Sequence, residues 1–234
     1  MTLVLDAIFL YPKKNNQGIK ETIQIGTNED GNNIEIEGFY LNDDQLIFTS
    51  EKPYVIYGYM AITSNKKAIF EAGSRLYFHE NSGIIVANNA SISINGELSN
   101  NPEKMEGEVV FQGNRLESEY DEIPGQWGTV WLTFGSKNHI INNLTIKNAS
   151  IGILVDGGGN SANESLILRN TQIHNSSYIN LWAKNAFIRS ENSVFGNAGQ
   201  YSFLANLGGN YSFTHCTFAN FWDYSYRSSP SVFV

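Results

Sequence analysis

Four short stretches in the second half of this chain recur at a near-constant step: Asn148-Ala149-Ser150-Ile151, Asn170-Thr171-Gln172-Ile173, Asn192-Ser193-Val194-Phe195 and His215-Cys216-Thr217-Phe218. A period of about 22 positions lies in the range of stacked repeats and specifies a pile of like units rather than a closed globule. Before each mark runs a short alternating segment, such as Leu144-Thr145-Ile146, Leu166-Ile167-Leu168 or Tyr211-Ser212-Phe213. Period two is the signature of a strand with one buried face. Helical repeats need apolar spacings of three and four, and a leucine-rich repeat needs its leucine–asparagine consensus; neither is present. A further strand recurs in the same step, with Leu181 and Ala183 returning as Phe203 and Ala205. Two or three short strands per unit, joined by turns rich in Asn, Ser and Gly, describe the coils of a right-handed parallel β-helix.

Toward the N-terminus the pattern continues in what reads as shorter coils. Leu76-Tyr77-Phe78, Ile92-Ser93-Ile94 and Val109-Val110-Phe111 follow one another at a smaller, regular step. One coil buries a handful of apolar side chains, at about 1.5–3 kcal/mol each. Ordering its backbone costs on the order of 1–2 kcal/mol per residue. A lone coil therefore cannot fold, and stability must come from stacking. The recurrent polar position predicts a structural ladder of Asn148, Asn170, Asn192 and His215, each side chain bonding to its counterpart one coil away. A polar ligand groove lined by Asn148, Asn170 and Asn192 is the competing reading, and a catalytic histidine the alternative for His215; the ladder is preferred for all four.

Bulk properties narrow the classes of function. The net charge is −8 and there is no basic stripe, which argues against nucleic acid as a partner. Charged residues make up 16%, below the usual quarter, as expected of an Asn- and Ser-rich surface solenoid. A single cysteine, Cys216, excludes an internal disulfide framework or cysteine metal cluster, and reads as a small packing residue. No signal peptide and no apolar run of transmembrane length is recognisable. The residues imply no cofactor and no metal site.

The chain divides into a β-rich entry segment, residues 1–51, and the helix proper, residues 52–234. Both ends run in strand-like sequence, Met1-Thr2-Leu3-Val4-Leu5 and Ser231-Val232-Phe233-Val234. Solenoids require polar caps, so a fragment truncated at its C-terminus is expected, with residues 1 to about 10 as the tail of a preceding module. Nineteen of the 23 carboxylates precede residue 125, with Glu29-Asp30, Glu35, Glu37 and Asp43-Asp44 in the entry segment. The acidic insertion at 116–122 (Leu-Glu-Ser-Glu-Tyr-Asp-Glu) lacks EF-hand spacing, and a solvated loop is favoured over a weak calcium site.

Four stretches carry a resemblance: Tyr54-Val-Ile-Tyr-Gly-Tyr59, Ser82-Gly-Ile-Ile-Val-Ala-Asn88, Pro124-Gly-Gln-Trp-Gly-Thr-Val-Trp-Leu132 and Gly208-Gly-Asn-Tyr-Ser-Phe-Thr-His-Cys-Thr-Phe218. Together they resemble a group of predicted Bacteroidota cell-surface lipoproteins, similar in turn to right-handed parallel β-helix proteins of the pectin-lyase-like superfold. The resemblance implies a surface or extracellular location, a lipoprotein signal and an immunoglobulin-like module ahead of this region, and further coils after it. It brings no activity, because the group is uncharacterised.

Two functional readings follow. Enzymes of this fold cleave acidic polysaccharides, but fold alone is a weak warrant. A lyase needs a calcium-holding carboxylate cluster and a base; a hydrolase needs a pair of carboxylates on adjacent coils. From residue 140 onward only Asp156, Glu164, Glu191 and Asp223 occur, and Arg169, Arg189 and Lys147 read as solubilising cations without acidic companions. No residue is assigned a catalytic role. The favoured reading is a non-catalytic scaffold or binding module for polysaccharide or surface proteins. With Val130, Leu132, Leu181 and Ala183 inward, alternation turns Trp131 and Trp182 outward. Leu154 and Leu204 occupy similar places, so Trp131, Leu154, Trp182 and Leu204 are the candidate ligand-binding stripe; burial of that stripe under a loop such as Asp156-Gly-Gly-Gly-Asn160 is favoured over an open site. Trp127 reads as a packing residue.

Overall fold

The computed structural model describes residues 6–12, 22–27, 32–41, 45–157 and 164–234. The chain is an all-β parallel β-helix, winding through about seven turns. Each full turn lays down three strands, so three faces surround one core. The first face stacks Ile8–Leu10, Tyr54–Ile56, Arg75–Phe78, Val109–Gly113, Leu144–Lys147, Gln172–Ser176, Val194–Ala198 and Thr217–Ala219. The second stacks Asn33–Leu41, Tyr59–Ile62, Gly83–Val86, Val130–Leu132, Ile151–Asp156 and the early parts of Ile179–Glu191 and Tyr201–Thr214, ending in Val232–Phe233. The third stacks Gln45–Phe48, Lys67–Glu71, Ser91–Asn95, His139–Asn142, Leu166–Arg169 and the later parts of the same two long strands.

Among the described residues every pairing is parallel except one. Thr22–Thr27 runs antiparallel to Asn33–Leu41, as a hairpin leaning on the second face. The remaining described strands of the entry segment lie in the same stacks, with Ile8 opposite Tyr54, Tyr40 opposite Ala61 and Leu46 opposite Ala68. The first five residues and both Glu29-Asp30 and Asp43-Asp44 lie outside the described residues.

The core is a column of like on like. Phe48 stacks on Phe70 at 4.6 Å, Phe78 on Trp127 at 4.2 Å and Phe195 on Phe218 at 5.0 Å. Ile84, Val86, Val130, Leu132, Leu181 and Ala183 are all inward and buried, as alternation predicts. Trp127 is 1% exposed and is indeed a packing residue. Cys216 packs, partly buried, against the end of the same core.

Coil lengths differ from the sequence expectation. On the first face the equivalent position passes from Tyr54 to Leu76, Phe111, Ile146, Ile173, Phe195 and Phe218. From Tyr54 onward the two coils between Leu76 and Ile146 are therefore the longest, the one from Ile146 to Ile173 is intermediate, and the one from Tyr54 to Leu76 and the last two are short and nearly equal. What read as short N-terminal coils are single faces: Leu76 and Val109 belong to the first face, Ile92 to the third. A strand recurs on every face, so its spacing alone does not say whether a full turn has been made.

From Asn143 onward the turn between the third and first faces is one residue in the left-handed conformation. Asn143, Asn170, Asn192 and His215 occupy it, with φ of 49°, 49°, 49° and 53°. Asparagine tolerates this region better than other side-chain-bearing residues, because its short amide bonds locally. Asn192 Nδ2 donates to Asn170 Oδ1 at 2.7 Å, and Asn143 Nδ2 to the Gly96 carbonyl at 2.9 Å. Gly96 holds the same corner one coil earlier, where a Cβ would sit 2.1 Å from the Asn143 carbonyl oxygen. Asn170, Asn192 and His215 therefore share one column, and its fourth member is Asn143. Asn148 stands at the next corner, in line with Asn175 and Asn197. The coil leaving Asn148 is an enlarged one that closes at Asn175, so the regular step from Asn148 to Asn170 stops one corner short of a full turn.

His139 is buried at the third face, 1% exposed. Its Nδ1 accepts the Ile92 amide at 3.3 Å, which leaves the Nε2 proton for Ser136 Oγ at 3.0 Å. Burial pushes its pKa down to about 3.

Two outcomes test this framework. Asn192→Ala, losing the amide bond and the left-handed tolerance, is expected to cost about 1–2 kcal/mol in urea unfolding. Asn192→Gly is expected to recover the backbone part; equal losses in both would contradict the ladder. His139 stays neutral in the fold while the unfolded imidazole titrates near 6.5, so its stabilisation is complete above that pH and is lost as pH falls toward 3. The wild type is therefore expected to lose about 2 kcal/mol more than His139→Gln between pH 7 and 5, and parallel pH profiles would refute the assignment.

Candidate functional site

The second face carries one outward column along its length. Strand register places Tyr40 beside Ala61, then Ile85, Trp131, Leu154, Trp182, Leu204 and Phe233, one coil apart. All four candidate binding residues, Trp131, Leu154, Trp182 and Leu204, are consecutive members of this column. Adjacent coils lie about 4.8 Å apart, so the two tryptophans are separated by roughly 10 Å. Toward the N-terminus Ile23 of the hairpin packs on Ala61 and Ile85, with Ile36, Tyr59 and Trp131 against that cluster. Trp131, Trp182 and Leu204 stay partly exposed, while Leu154 between the rings retains 7%. Residues 158–160 of the loop named as a cover lie outside the described residues.

Both indoles are anchored in the same way. Trp131 Nε1 donates to Asp156 Oδ2 at 3.3 Å, and Trp182 Nε1 to Asn206 Oδ1 at 3.2 Å. Asp156 follows Leu154, the register neighbour of Trp131, at the next outward position, and Asn206 follows Leu204, the neighbour of Trp182, in the same way. Each ring is therefore tied to the next outward position along the adjacent coil. Lys184 adds its ammonium 4.6 Å from the Trp182 ring. Sequence reasoning missed Asp156 and Asn206. The signal was available as the same offset on an outward face, but it needs strand register to be read.

The acidic insertion belongs to a different surface, the corner after the first face. Asn148 Nδ2 donates to the Asp121 carbonyl at 2.9 Å and to that of Tyr120 at 3.3 Å, and Asn175 Nδ2 to the Glu122 carboxylate. Lys147 Nζ lies 3.7 Å from Asp121 Oδ1, and Tyr224 Oη donates to the Glu122 carbonyl at 2.7 Å. The insertion is thus strapped over the helix rather than only solvated. His174 lies beneath it, and burial lowers its pKa against the opposing pull of Glu122. Asn148 and Asn175 act here as clamps for an inserted loop. Trp222, 5.1 Å from Tyr224, joins the same corner.

The cations taken for lone solubilising groups have acidic partners. Arg169 pairs with Glu191 at 3.2 Å, and Arg189 with Glu164 at 3.6 Å and Glu191 at 3.8 Å. Arg169 and Glu191 are register neighbours on adjacent coils, a proximity invisible to linear spacing. Among the described residues no group of three or more His, Cys, Asp or Glu side chains is placed to hold a metal ion. No helix among them is long and apolar enough to cross a membrane.

No family model, curated protein or solved structure matches the chain.

The clamp makes a direct prediction. Asn175→Ala removes the Glu122 anchor and should speed cleavage within the 117–122 segment by a glutamate-specific protease severalfold, followed by mass spectrometry, while the β-helix stays intact. An unchanged rate would show that the insertion is held by other contacts.

Proposed function

We propose that this chain is a non-catalytic cell-surface β-helix module that binds glycan or protein partners through the outward column of its second face. One observation carries the reading: Trp131 and Trp182, two coils apart, are held by the same indole-to-next-coil hydrogen bond, to Asp156 and Asn206. Fixing a large amphipathic ring before a ligand arrives lowers the entropy lost on binding. Tryptophan with its N–H satisfied can then present its apolar face, the property that enriches it at interfaces. The partly exposed rings flank an aliphatic position, giving a flat apolar strip bordered by polar side chains. That shape suits stacking on the apolar faces of consecutive sugar rings, or docking of a partner's side chains.

The resemblance to Bacteroidota surface lipoproteins of the pectin-lyase-like superfold supports an extracellular setting, as do the low charged fraction and Asn-rich turns. Strand stacking without a tight globular closure also suits a spacer, to which the outward column adds a place to bind.

Affinity electrophoresis through gels of neutral and acidic polysaccharides tests the proposal. Retardation without loss of glycan is expected, with Trp131→Ala and Trp182→Ala each weakening it roughly tenfold, about 1.4 kcal/mol. Clearing of the glycan around the band would overturn the non-catalytic reading and establish a polysaccharide lyase or hydrolase. Retardation indifferent to both substitutions would remove the column from the account.

A further inference from the structure

A trough of about 850 Å³ opens at the corner between the first and second faces, beside the outward column but not part of it. Tyr11, Tyr57, His79, Trp127 and Ser150 line it from five successive levels of the stack. At about 4.8 Å per level it runs for roughly 19 Å, long enough for several linked units of a ligand and oversized for one small metabolite. One wall is a pile of rings. Tyr11 stacks on Tyr57 at 4.4 Å and 12°, and Tyr57 on His79 at 4.7 Å and 39°. Asn114 Nδ2 lies 3.1 Å from His79 Nδ1; with the amide donating, the neutral ring carries its proton on Nε2. Tyr57 is sandwiched between Tyr11 and His79 and its hydroxyl bonds to that of Tyr11, so the wall presents polar ring edges: a phenol pair and an imidazole N–H at coil spacing.

Those edges are joined by planar polar groups. Glu80 and Asn81 are exposed on the rim, and Glu37 faces them from the second face. A carboxylate or amide accepts or donates at two neighbouring positions, as vicinal hydroxyls require. Thr129 lines the trough while only 9% exposed, and its Oγ1 has no hydrogen-bond partner. Among the described lining residues there are two carboxylates and no Lys or Arg, which disfavours nucleic acids, phosphates and uronic acid polymers. A peptide adding as a strand needs an unpaired sheet edge. The strands bordering the trough, Tyr59–Ile62 and Gly83–Val86, are paired on both sides.

We infer that this trough is a second binding site, for a linear oligosaccharide of uncharged sugars, read by hydrogen bonds from the Tyr11–Tyr57–His79 edge and Glu80 and seated on the apolar patches of Pro12, Ile36 and Ile151. It rests on the reading of the chain as a binding module and adds to it a separate site and a ligand class. Tyr11 is 53% exposed and Glu80 exposed, so both can be changed without touching the core.

The test is calorimetric titration of the purified chain with tetramers of glucose, mannose, galactose and N-acetylglucosamine, beside a galacturonate tetramer and a deacetylated glucosamine tetramer. At least one uncharged tetramer is expected to bind, and to be weakened tenfold or more by Tyr11→Ala and by Glu80→Gln. Tighter binding of either charged tetramer would overturn the ligand class. Binding that is lost in Trp182→Ala and kept in Tyr11→Ala would overturn the trough as the site and leave the outward column standing. No binding by any uncharged tetramer would overturn the inference outright.

Discussion

Parallel register is the constraint on which everything else in this molecule depends. Because each strand lies directly over its predecessor, a side chain is always stacked on the residue occupying the same position one coil away. Inside, this gives phenylalanine on phenylalanine and aliphatic on aliphatic; at the one-residue corner it gives asparagine bonded to asparagine. Outside, the same rule turns isolated residues into columns. The outward line from Tyr40 to Phe233 is the surface counterpart of the buried core, produced by the same hydrogen-bond ladder and at no extra cost in chain length.

The corners differ in what they tolerate, and this difference distributes the features of the surface. The turn from third to first face uses a single left-handed residue, leaving no room for added chain on the ladder side from Asn143 onward. Extra chain enters at that same corner one coil earlier, at 96–108, and at the other two corners, at 114–129 and at 157–165, which accounts for the three enlarged coils between Leu76 and Ile173. The insertion at 114–129 brings Asp121 and Glu122 back onto Asn148 and Asn175, and carries Trp127 into the core against Phe78. It also forms part of the trough wall. Asn148 shows how one residue type serves two purposes: the same left-handed turn that is stabilised by amide pairing at one corner holds an inserted loop at the next.

The alternation in Val130-Trp131-Leu132 and Leu181-Trp182-Ala183 was sufficient to place both tryptophans outward, and the regular recurrence was sufficient to put Trp182 over Leu204. The parallel β-helix itself was legible for the same reason, since local period and repeat length are properties of sequence. Register across unequal coils was not. Asn148 falls in step with Asn170 by coincidence of an insertion, and Leu76, Ile92 and Val109 look like successive coils because every face carries the same alternation. Contacts such as Trp131 with Asp156, Arg169 with Glu191, or Tyr11 with Tyr57 join residues a full coil or more apart in the chain. They follow once coil lengths are known and are silent before. The trough belongs to this class: its lining comes from five levels, and no two of the residues that define it form a motif.

Stacking sorts the tryptophans into a buried core, Trp127, and a partly exposed surface column, Trp131 and Trp182. Acrylamide quenching of four single-tryptophan variants, each keeping Trp127, Trp131, Trp182 or Trp222 with phenylalanine at the other three positions, measures that sorting directly. The account predicts strong quenching for Trp131 and Trp182 and little for Trp127, although Trp127 and Trp131 are close neighbours in the chain. Quenching of Trp131 and Trp182 as weak as that of Trp127 would contradict it, because the column would then be core and not a surface on which anything can bind.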